Sequence, residues 1–340
     1  GLAIGNFVSS GNPTGFSLLY KIQKNNATVS TNFVSSDPFY SIYAFDKNHF
    51  FIGLGTTDAV GRGYIRSTTN GGNSWTLKNV SAITHQVNFI QFFDNNNGIF
   101  LGNPLMNVWG IAKTTDGGST WTVVPNVPDP LDREKQISGS AQFNGSDIWF
   151  GTTMGRIFYS SDQGNTWSVQ TVSADAKPVA LLSYIDKNRG MAVCHNSLEQ
   201  TKNEATLMFT NDGGQTWTQS QTDISENDLY PVYCFTVPGS GSQIMLSQSG
   251  RVSSSIDNGN TFKPVLTKKN EIILLGQYQL IEGRVKLWEI GNSLSYLIFD
   301  KITSVYEPIE KSKILITPSP ANNCINITIP ENSVQINDQG

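Results

Sequence analysis

Charge is scarce in this chain. Only 15% of its 340 residues are Asp, Glu, Lys or Arg, against about 25% in an average soluble protein. No run of Lys or Arg occurs, the arginines are scattered from Arg62 to Arg284, and the formal net charge is −4. A nucleic acid or an anionic membrane surface would need a basic stripe, so no nucleic-acid partner is expected. Long apolar runs are missing as well. Stretches such as Ile272–Leu275 fall far below the ~20 residues of a membrane-spanning helix, and no span is expected. Cysteine is rare: Cys194, Cys234 and Cys324 form an odd set without Cys-x-x-Cys spacing. That excludes a disulfide framework and argues against metal and redox chemistry. Cys194 and Cys234 sit in apolar, strand-like runs and read as buried free thiols. Helical periodicity of useful length is absent throughout. No metal and no cofactor is expected. Disorder is excluded too, because seven Trp and 18 Phe are too large an apolar content for a solvated coil.

What the chain does have is a repeat. Thr68-x-Asn70-x-Gly72-x-Ser74-Trp75 recurs as Thr114-x-Asp116-x-Gly118-x-Thr120-Trp121 and as Ser160-x-Asp162-x-Gly164-x-Thr166-Trp167. It recurs again as Thr210-x-Asp212-x-Gly214-x-Thr216-Trp217, and with a different ring as Ser255-x-Asp257-x-Gly259-x-Thr261-Phe262. The aromatics step by 46, 46, 50 and 45 residues. Each copy has the chemistry of a tight hairpin turn. The Asp or Asn side chain can accept from backbone N–H groups shortly downstream. Gly tolerates a positive φ, and Thr-Trp re-enters a strand. The acids Asp116, Asp162, Asp212 and Asp257, with Asn70, are therefore read as structural. The rings Trp75, Trp121, Trp167, Trp217 and Phe262 are read as buried wedges between neighbouring sheets.

Ahead of each turn lie three further apolar runs separated by polar turns. Four short strands per ~45 residues is the blade of a β-propeller. The fold class expected is all-β: a β-propeller of four-stranded blades, seven in number with six as the alternative, plus the start of a small C-terminal β segment. Residues 274–280, 285–290, 294–300 and 303–308 read as a blade without the turn motif, and 2–9, 15–22 and 28–34 as strands before the first one that has it. The domain boundary is expected between residues 1–310 and 311–340.

The eight-residue pattern resembles the Asp-box, or bacterial neuraminidase (BNR) repeat, of sialidase-like propellers. The resemblance implies one blade per box, with the box at the turn between strands three and four. Sialidases, xyloglucan-degrading enzymes, sortilin-type receptors and photosystem assembly factors carry it, so it speaks to fold more than to function. Residues 313–327, Lys-Ile-Leu-Ile-Thr-Pro-Ser-Pro-Ala-Asn-Asn-Cys-Ile-Asn-Ile, resemble the start of a type IX secretion sorting domain. That implies a domain truncated in this chain, export by the type IX machinery, and a secreted or cell-surface location.

Variable loops on an otherwise regular scaffold are where binding belongs. Turns between strands one and two are short, whereas residues 56–63, 103–110, 125–139, 195–205 and 221–231 read as long loops on the opposite face. The ligand-binding residues expected there are Trp109, for stacking, Arg133 and Glu134 in the longest connection, His195, and the cluster Glu226, Asp228 and Tyr230. No catalytic residue is assigned. The expected function is a monomeric, non-catalytic binder of a glycan or protein ligand. One alternative is a glycoside hydrolase of sialidase-like type, whose paired carboxyls would have to come from loop acids such as Asp129, Asp132, Glu226 and Asp228. A second alternative is an assembly factor resembling the photosystem-related propellers.

Overall fold

Apolar runs such as Phe50-Phe51-Ile52-Gly53-Leu54 are buried at every position, as a strand covered on both faces must be. The run after each alternates, as in Gly63–Thr68, where Ile65 is buried and Tyr64 and Arg66 are half-buried. The last run of each repeat is short and largely exposed, as in Thr76–Asn79. This gradient from buried to exposed is the cross-section of one sheet. The computed structural model describes residues 37–265 in full, apart from 57–59, 176, 196–204, 225–230 and 238–240. It describes the strand backbone alone at 2–9, 12–22, 27–35, 266, 273–281, 284–291, 294–300, 308–319 and 324–328.

A three-stranded sheet comes first: β1 (Leu2–Ser9), β2 (Asn12–Ile22) and β3 (Ala27–Ser35). Antiparallel four-stranded meanders follow. The first is β4 (Phe39–Ala44), β5 (Phe50–Gly55), β6 (Gly63–Thr68) and β7 (Thr76–Asn79). The next is β8 (Val87–Phe92), β9 (Gly98–Leu105), β10 (Val108–Thr114) and β11 (Thr122–Val123). Then come β12 (Gln136–Asn144), β13 (Asp147–Thr152), β14 (Arg156–Ser160) and β15 (Ser168–Thr171). They are followed by β16 (Val179–Tyr184), β17 (Gly190–His195), β18 (Ala205–Thr210) and β19 (Thr218–Gln219). The last meander of this kind is β20 (Pro231–Val237), β21 (Ser242–Ser247), β22 (Val252–Ser255) and β23 (Lys263–Leu266). A five-stranded sheet closes the order with β24 (Ile273–Ile281), β25 (Arg284–Gly291), β26 (Leu294–Asp300), β27 (Pro308–Ser319) and β28 (Cys324–Thr328). β27 pairs with β26 through Leu294↔Ile314, so the strand runs across residue 310.

The chain divides into two compact units, residues 1–170 with 319–324 and residues 171–318 with 325–340. In the first, β1 lies beside β4, β4 beside β8, and β8 beside β12. In the second, β16 lies beside β20 and β20 beside β24. Repeated meanders packed first strand to first strand define an all-β fold of the β-propeller class.

The repeated turn joins the third and fourth strands of each sheet. Its first hydroxyl donates to the carboxylate, Thr114 Oγ1 to Asp116 Oδ1 at 2.8 Å, and accepts from the glycine N–H of Gly118 at 2.9 Å. The carboxylate then accepts from the Thr120 N–H at 2.8 Å and the Thr120 hydroxyl at 2.6 Å. The same set recurs around Asp162, Asp212 and Asp257. Asn70 supplies it with an amide, its Oδ1 accepting from the Ser74 N–H at 2.9 Å. The third residue of the motif's turn reaches back to the hairpin between strands one and two. The Gly71, Gly117, Gln163 and Gly213 N–H groups donate to the carbonyls of Asn48, Asn96, Ser146 and Asn188 at 2.8–3.0 Å. Both sets of turns therefore share one face of their sheet, which leaves the loops between strands two and three to the opposite face.

The glycine of the turn also makes the joint between sheets. A Cβ on Gly118 would stand 2.9 Å from the Phe51 ring, one on Gly164 2.3 Å from Ile99 Cδ1, and one on Gly259 3.1 Å from Met191 Cβ. Phe51, Ile99 and Met191 occupy the same place, the second residue of the preceding sheet's second strand. Each of these glycines also has φ of 81–87°, where a side chain is strained. The aromatic of the motif packs against its own second strand: Trp75 edge-on to Phe50 at 5.4 Å, Trp121 tilted on Phe100 at 5.0 Å, Trp167 edge-on to Phe150 at 5.3 Å. It joins cores shared with the preceding sheet. Trp167 packs in the cluster containing Ile99 and Leu101, and Trp121 lies against that of Phe51 and Ile65.

Burial of these rings departs from expectation. Trp167 is 9% exposed, but Trp75, Trp121, Trp217 and Phe262 are half-buried, because the turn sits at the rim of its sheet. The Trp167 indole N–H is seated on the Gly164 carbonyl at 3.0 Å. Residues 103–110 are a second difference. They form no loop: β9 and β10 continue to a two-residue turn at Met106 and Asn107, with φ of 51° and 64°. These are the left-handed values that match the twist of a hairpin.

Two outcomes follow for denaturant unfolding. Trp167→Ala should cost about 3–5 kcal/mol, and Trp121→Ala less, since its ring is only half-buried. Gly164→Ala should cost about 2–5 kcal/mol from strain and overpacking against Ile99, whereas the same change at Gly139, where nothing lies within 4 Å, adds no clash.

Candidate functional site

The acids of the repeated turn are not free to react. Hydrogen bonds hold Asp116 and Asp212 down at about 2 against an ordinary 3.8, the Thr120 and Thr216 hydroxyls being the main cause. For Asp162 and Asp257 burial pushes the other way, and the hydrogen bonds from Thr166 and Thr261 outweigh it. Asp46, Asp94 and Asp186, in the hairpins between strands one and two, are also lowered. The backbone N–H groups of Asn48 and His49 are the leading cause at Asp46, and the Asn97 amide at Asp94. A general acid requires a carboxyl shifted the other way. Among the described residues no group of three or more His, Cys, Asp and Glu could hold a metal.

The opposite face is irregular, and its described residues lie mostly in the first unit. Its best-built feature is an ion pair. Glu134 is 2% exposed. Its carboxylate accepts from the Leu131 N–H at 2.9 Å, the Thr152 hydroxyl at 2.6 Å and Arg156 Nε at 2.9 Å, and it pairs again with Arg156 Nη2. Arg156 also donates to the Asp129 carbonyl at 3.0 Å and lies 5.0 Å over the Phe158 ring. The pair clasps the long connection of residues 124–135 onto the β13–β14 hairpin.

A cavity of about 360 Å³ opens on the sheet β4–β7, lined by Asp37, Leu54, Thr56, Arg62, Tyr64, Arg66 and Leu77. Apolar side chains stand out on this face: Val60 at 66% exposure in the β5–β6 loop, Met106 at 92% and Val108 at 56% on the β9–β10 hairpin, and Leu131 at 49% in the connection.

The candidate residues are dispersed. Trp109 is corrected: it lies on β10, is 2% exposed, and packs edge-on against Phe150 at 5.2 Å and Phe158 at 4.9 Å. Extending the hairpin turned a supposed loop residue into a joint between sheets. Arg133 and Glu134 do not pair with one another. Arg133 is exposed with φ of 56° and contacts the exposed Asp132 at 3.7 Å, while Glu134 turns inward to Arg156. Arg156 was not among the candidate residues, because its partner lies 22 residues earlier and leaves no local signal. His195 ends β17, half-buried, its pKa lowered by burial. Glu226, Asp228 and Tyr230 lie outside the described residues. Cys194 and Cys234 are free and buried, and burial pushes both thiols up to about 12, which makes them inert.

Residues 110–230 match the Sortilin-Vps10 family, described as sortilin, neurotensin receptor 3. The photosystem II assembly lipoprotein Ycf48 of Synechococcus sp. (strain CC9902) is 29% identical over 136 residues, which are 40% of this chain and 37% of that protein. The chain thus aligns with well under half the length of that relative. A structure of YCF48 bound to D1 peptide superposes with a TM-score of 0.54 at 16% identity, covering 92% of this chain and 96% of that one. The GH74 xyloglucanase of Xanthomonas campestris superposes with a TM-score of 0.59 at 10% identity, covering 83% and 50%. Identities this low carry the fold alone.

Two predictions rest on these side chains. Glu134→Ala strands a buried guanidinium and should cost about 3–5 kcal/mol, with the Glu134→Ala/Arg156→Ala double variant recovering part of it; a double-mutant cycle checks the coupling. The lowered carboxyls stabilise the fold fully above pH 3.8 and lose that contribution as pH falls toward about 2. Stability should therefore decline across that window. An Asp116→Asn/Asp212→Asn variant, copying Asn70, should show a shallower acid decline by circular dichroism.

Proposed function

We propose that this chain is a non-catalytic propeller that binds an extended segment of another protein, as an assembly factor would. The observation that carries the reading is the aligned stretch shared with the assembly lipoprotein Ycf48. The structural neighbour bound to a peptide supports a protein ligand over a small molecule. The geometry is in keeping: the repeated acids are saturated, and the irregular face offers exposed Val60, Met106, Val108 and Leu131, the apolar tips a polypeptide can cover. In this reading the repeated turn is an Asp-box used purely as scaffold. Delivery outside the cell by a type IX signal is proposed on the resemblance of residues 313–327 alone.

A hydrolase would need two carboxyls facing one another across the substrate. Of the described loop acids named as candidates, Asp129 and Asp132 are exposed, and nearby Glu134 is committed to Arg156. The discriminating experiment screens the purified chain against an array of 12-residue peptides, a glycan array and a panel of fluorogenic glycosides. Saturable peptide binding without turnover is expected. Turnover of any glycoside, or binding to glycans alone, would overturn the reading.

A further inference from the structure

The first strands β4, β8, β16, β20 and β24 each begin with a slip in their pairing. One extra residue intervenes between Phe39 and Ser41, Val87 and Phe89, Val179 and Leu181, Pro231 and Tyr233, and Ile273 and Leu275. In β12 the same slip is enlarged. Gln136 pairs with Thr152 and the next pairing is Ala141 with Phe150, so three extra residues are accommodated instead of one. A feature kept at one residue elsewhere and expanded once is where a repeat protein departs from scaffold, and bulges re-aim a strand toward a ligand.

The groups hydrogen-bonded around this bulge are uncharged. Asn88 Nδ2 donates to Asn103 Oδ1 at 3.1 Å and to the Gln136 carbonyl at 3.4 Å. Asn88 Oδ1 accepts from Gln86 Nε2 at 2.5 Å and from the Ser138 hydroxyl at 3.4 Å. Asn103 Oδ1 also accepts from the Gln136 N–H at 3.1 Å. Ser138 and Gly139 are exposed, and Gly139, with φ of 88°, has open space where a side chain would stand. Gln136 and Ser140 are 4% and 0% exposed, yet Gln136 Oε1 and Ser140 Oγ have no hydrogen-bond partner. Two buried polar atoms lacking partners, four residues apart on the one enlarged bulge, mark a place that a ligand's polar groups complete.

We propose that residues 136–140, with Gln86, Asn88 and Asn103, form a docking edge for an extended polypeptide segment held through its backbone amides. The inference rests on the protein-binding reading above and locates it. Amide and hydroxyl groups that both donate and accept match the alternating N–H and C=O of a strand, and main-chain hydrogen bonds supply affinity in such pairing. A sugar would call for an open ring face, and neighbouring Phe89 is stacked on Phe143 at 4.7 Å.

The test uses two variants of the full chain. Deleting Ser138 and Gly139 leaves the one-residue slip of the other sheets. Gln136→Met keeps the volume and removes the unpartnered acceptor together with the hydrogen bond that Gln136 Nε2 donates to the Ile137 carbonyl at 3.0 Å, so its melting temperature is measured beside its binding. The probe is the strongest-binding peptide of the 12-residue array, synthesised also with N-methylated backbone positions. At least tenfold weaker binding is expected for both variants, and for the wild type with peptides N-methylated at the contact. If the deletion variant does not fold, Gln136→Met decides alone. Binding within twofold of wild type in the folded variants, or tolerance of N-methylation at every position, would overturn this site while leaving peptide binding intact. A wild-type chain that binds no arrayed peptide, or only glycans, would overturn the protein-binding reading itself.

Discussion

One short set of hydrogen bonds underlies the rest of the structure. In each repeated turn a Ser or Thr hydroxyl donates to an Asp or Asn two residues on and accepts from a glycine N–H four residues on, while that Asp or Asn ties down the residue before the aromatic. The closed turn holds its glycine at positive φ and presses that bare Cα onto the second strand of the preceding sheet, at Phe51, Ile99 and Met191. Only a residue without a side chain can be placed there, and the saturated Asp or Asn side chain holds it. The acid and the glycine are thus one device, which shapes the hairpin and joins it to its neighbour.

In the proposed reading, committing the acids to this role leaves binding to the opposite face. There the repeats diverge. The β9–β10 hairpin extends to an exposed Met106, a buried Glu134–Arg156 pair clasps the connection before β12, and β12 itself carries an enlarged bulge. The ion pair illustrates how irregularity is kept in order. Glu134 faces four donor groups with no exposure to water, so the long connection is fixed and the residues after it are presented in one conformation. A binding surface of this kind is preorganised, which lowers the ordering entropy lost when a flexible ligand docks.

Much of the fold is legible in the sequence because the turn is local. Hydroxyl, acid, glycine and aromatic lie within eight residues, and their spacing alone specifies a hairpin. The buried second strands are legible for the same reason, as unbroken apolar runs. The site is less so. Trp109 looked like a loop residue because residues 103–110 read as one long loop, yet Met106 and Asn107 adopt left-handed angles and the strands run up to them on both sides. Glu134 and Arg156 are 22 residues apart, and no local pattern joins them. The bulge in β12 is a matter of register, visible only once its partner strand is known, although Gly139 was a trace of it.

The most direct measurement is the carboxyl titration of Asp116 and Asp212, followed by nuclear magnetic resonance on the carbon-labelled chain. If the repeated acids serve only to close their turns and hold the sheets together, both titrate near pH 2, well below the ordinary 3.8. Titration at 3.8 or above would mean the carboxylates are not bound as described, and that they are available for the chemistry here assigned to the other face.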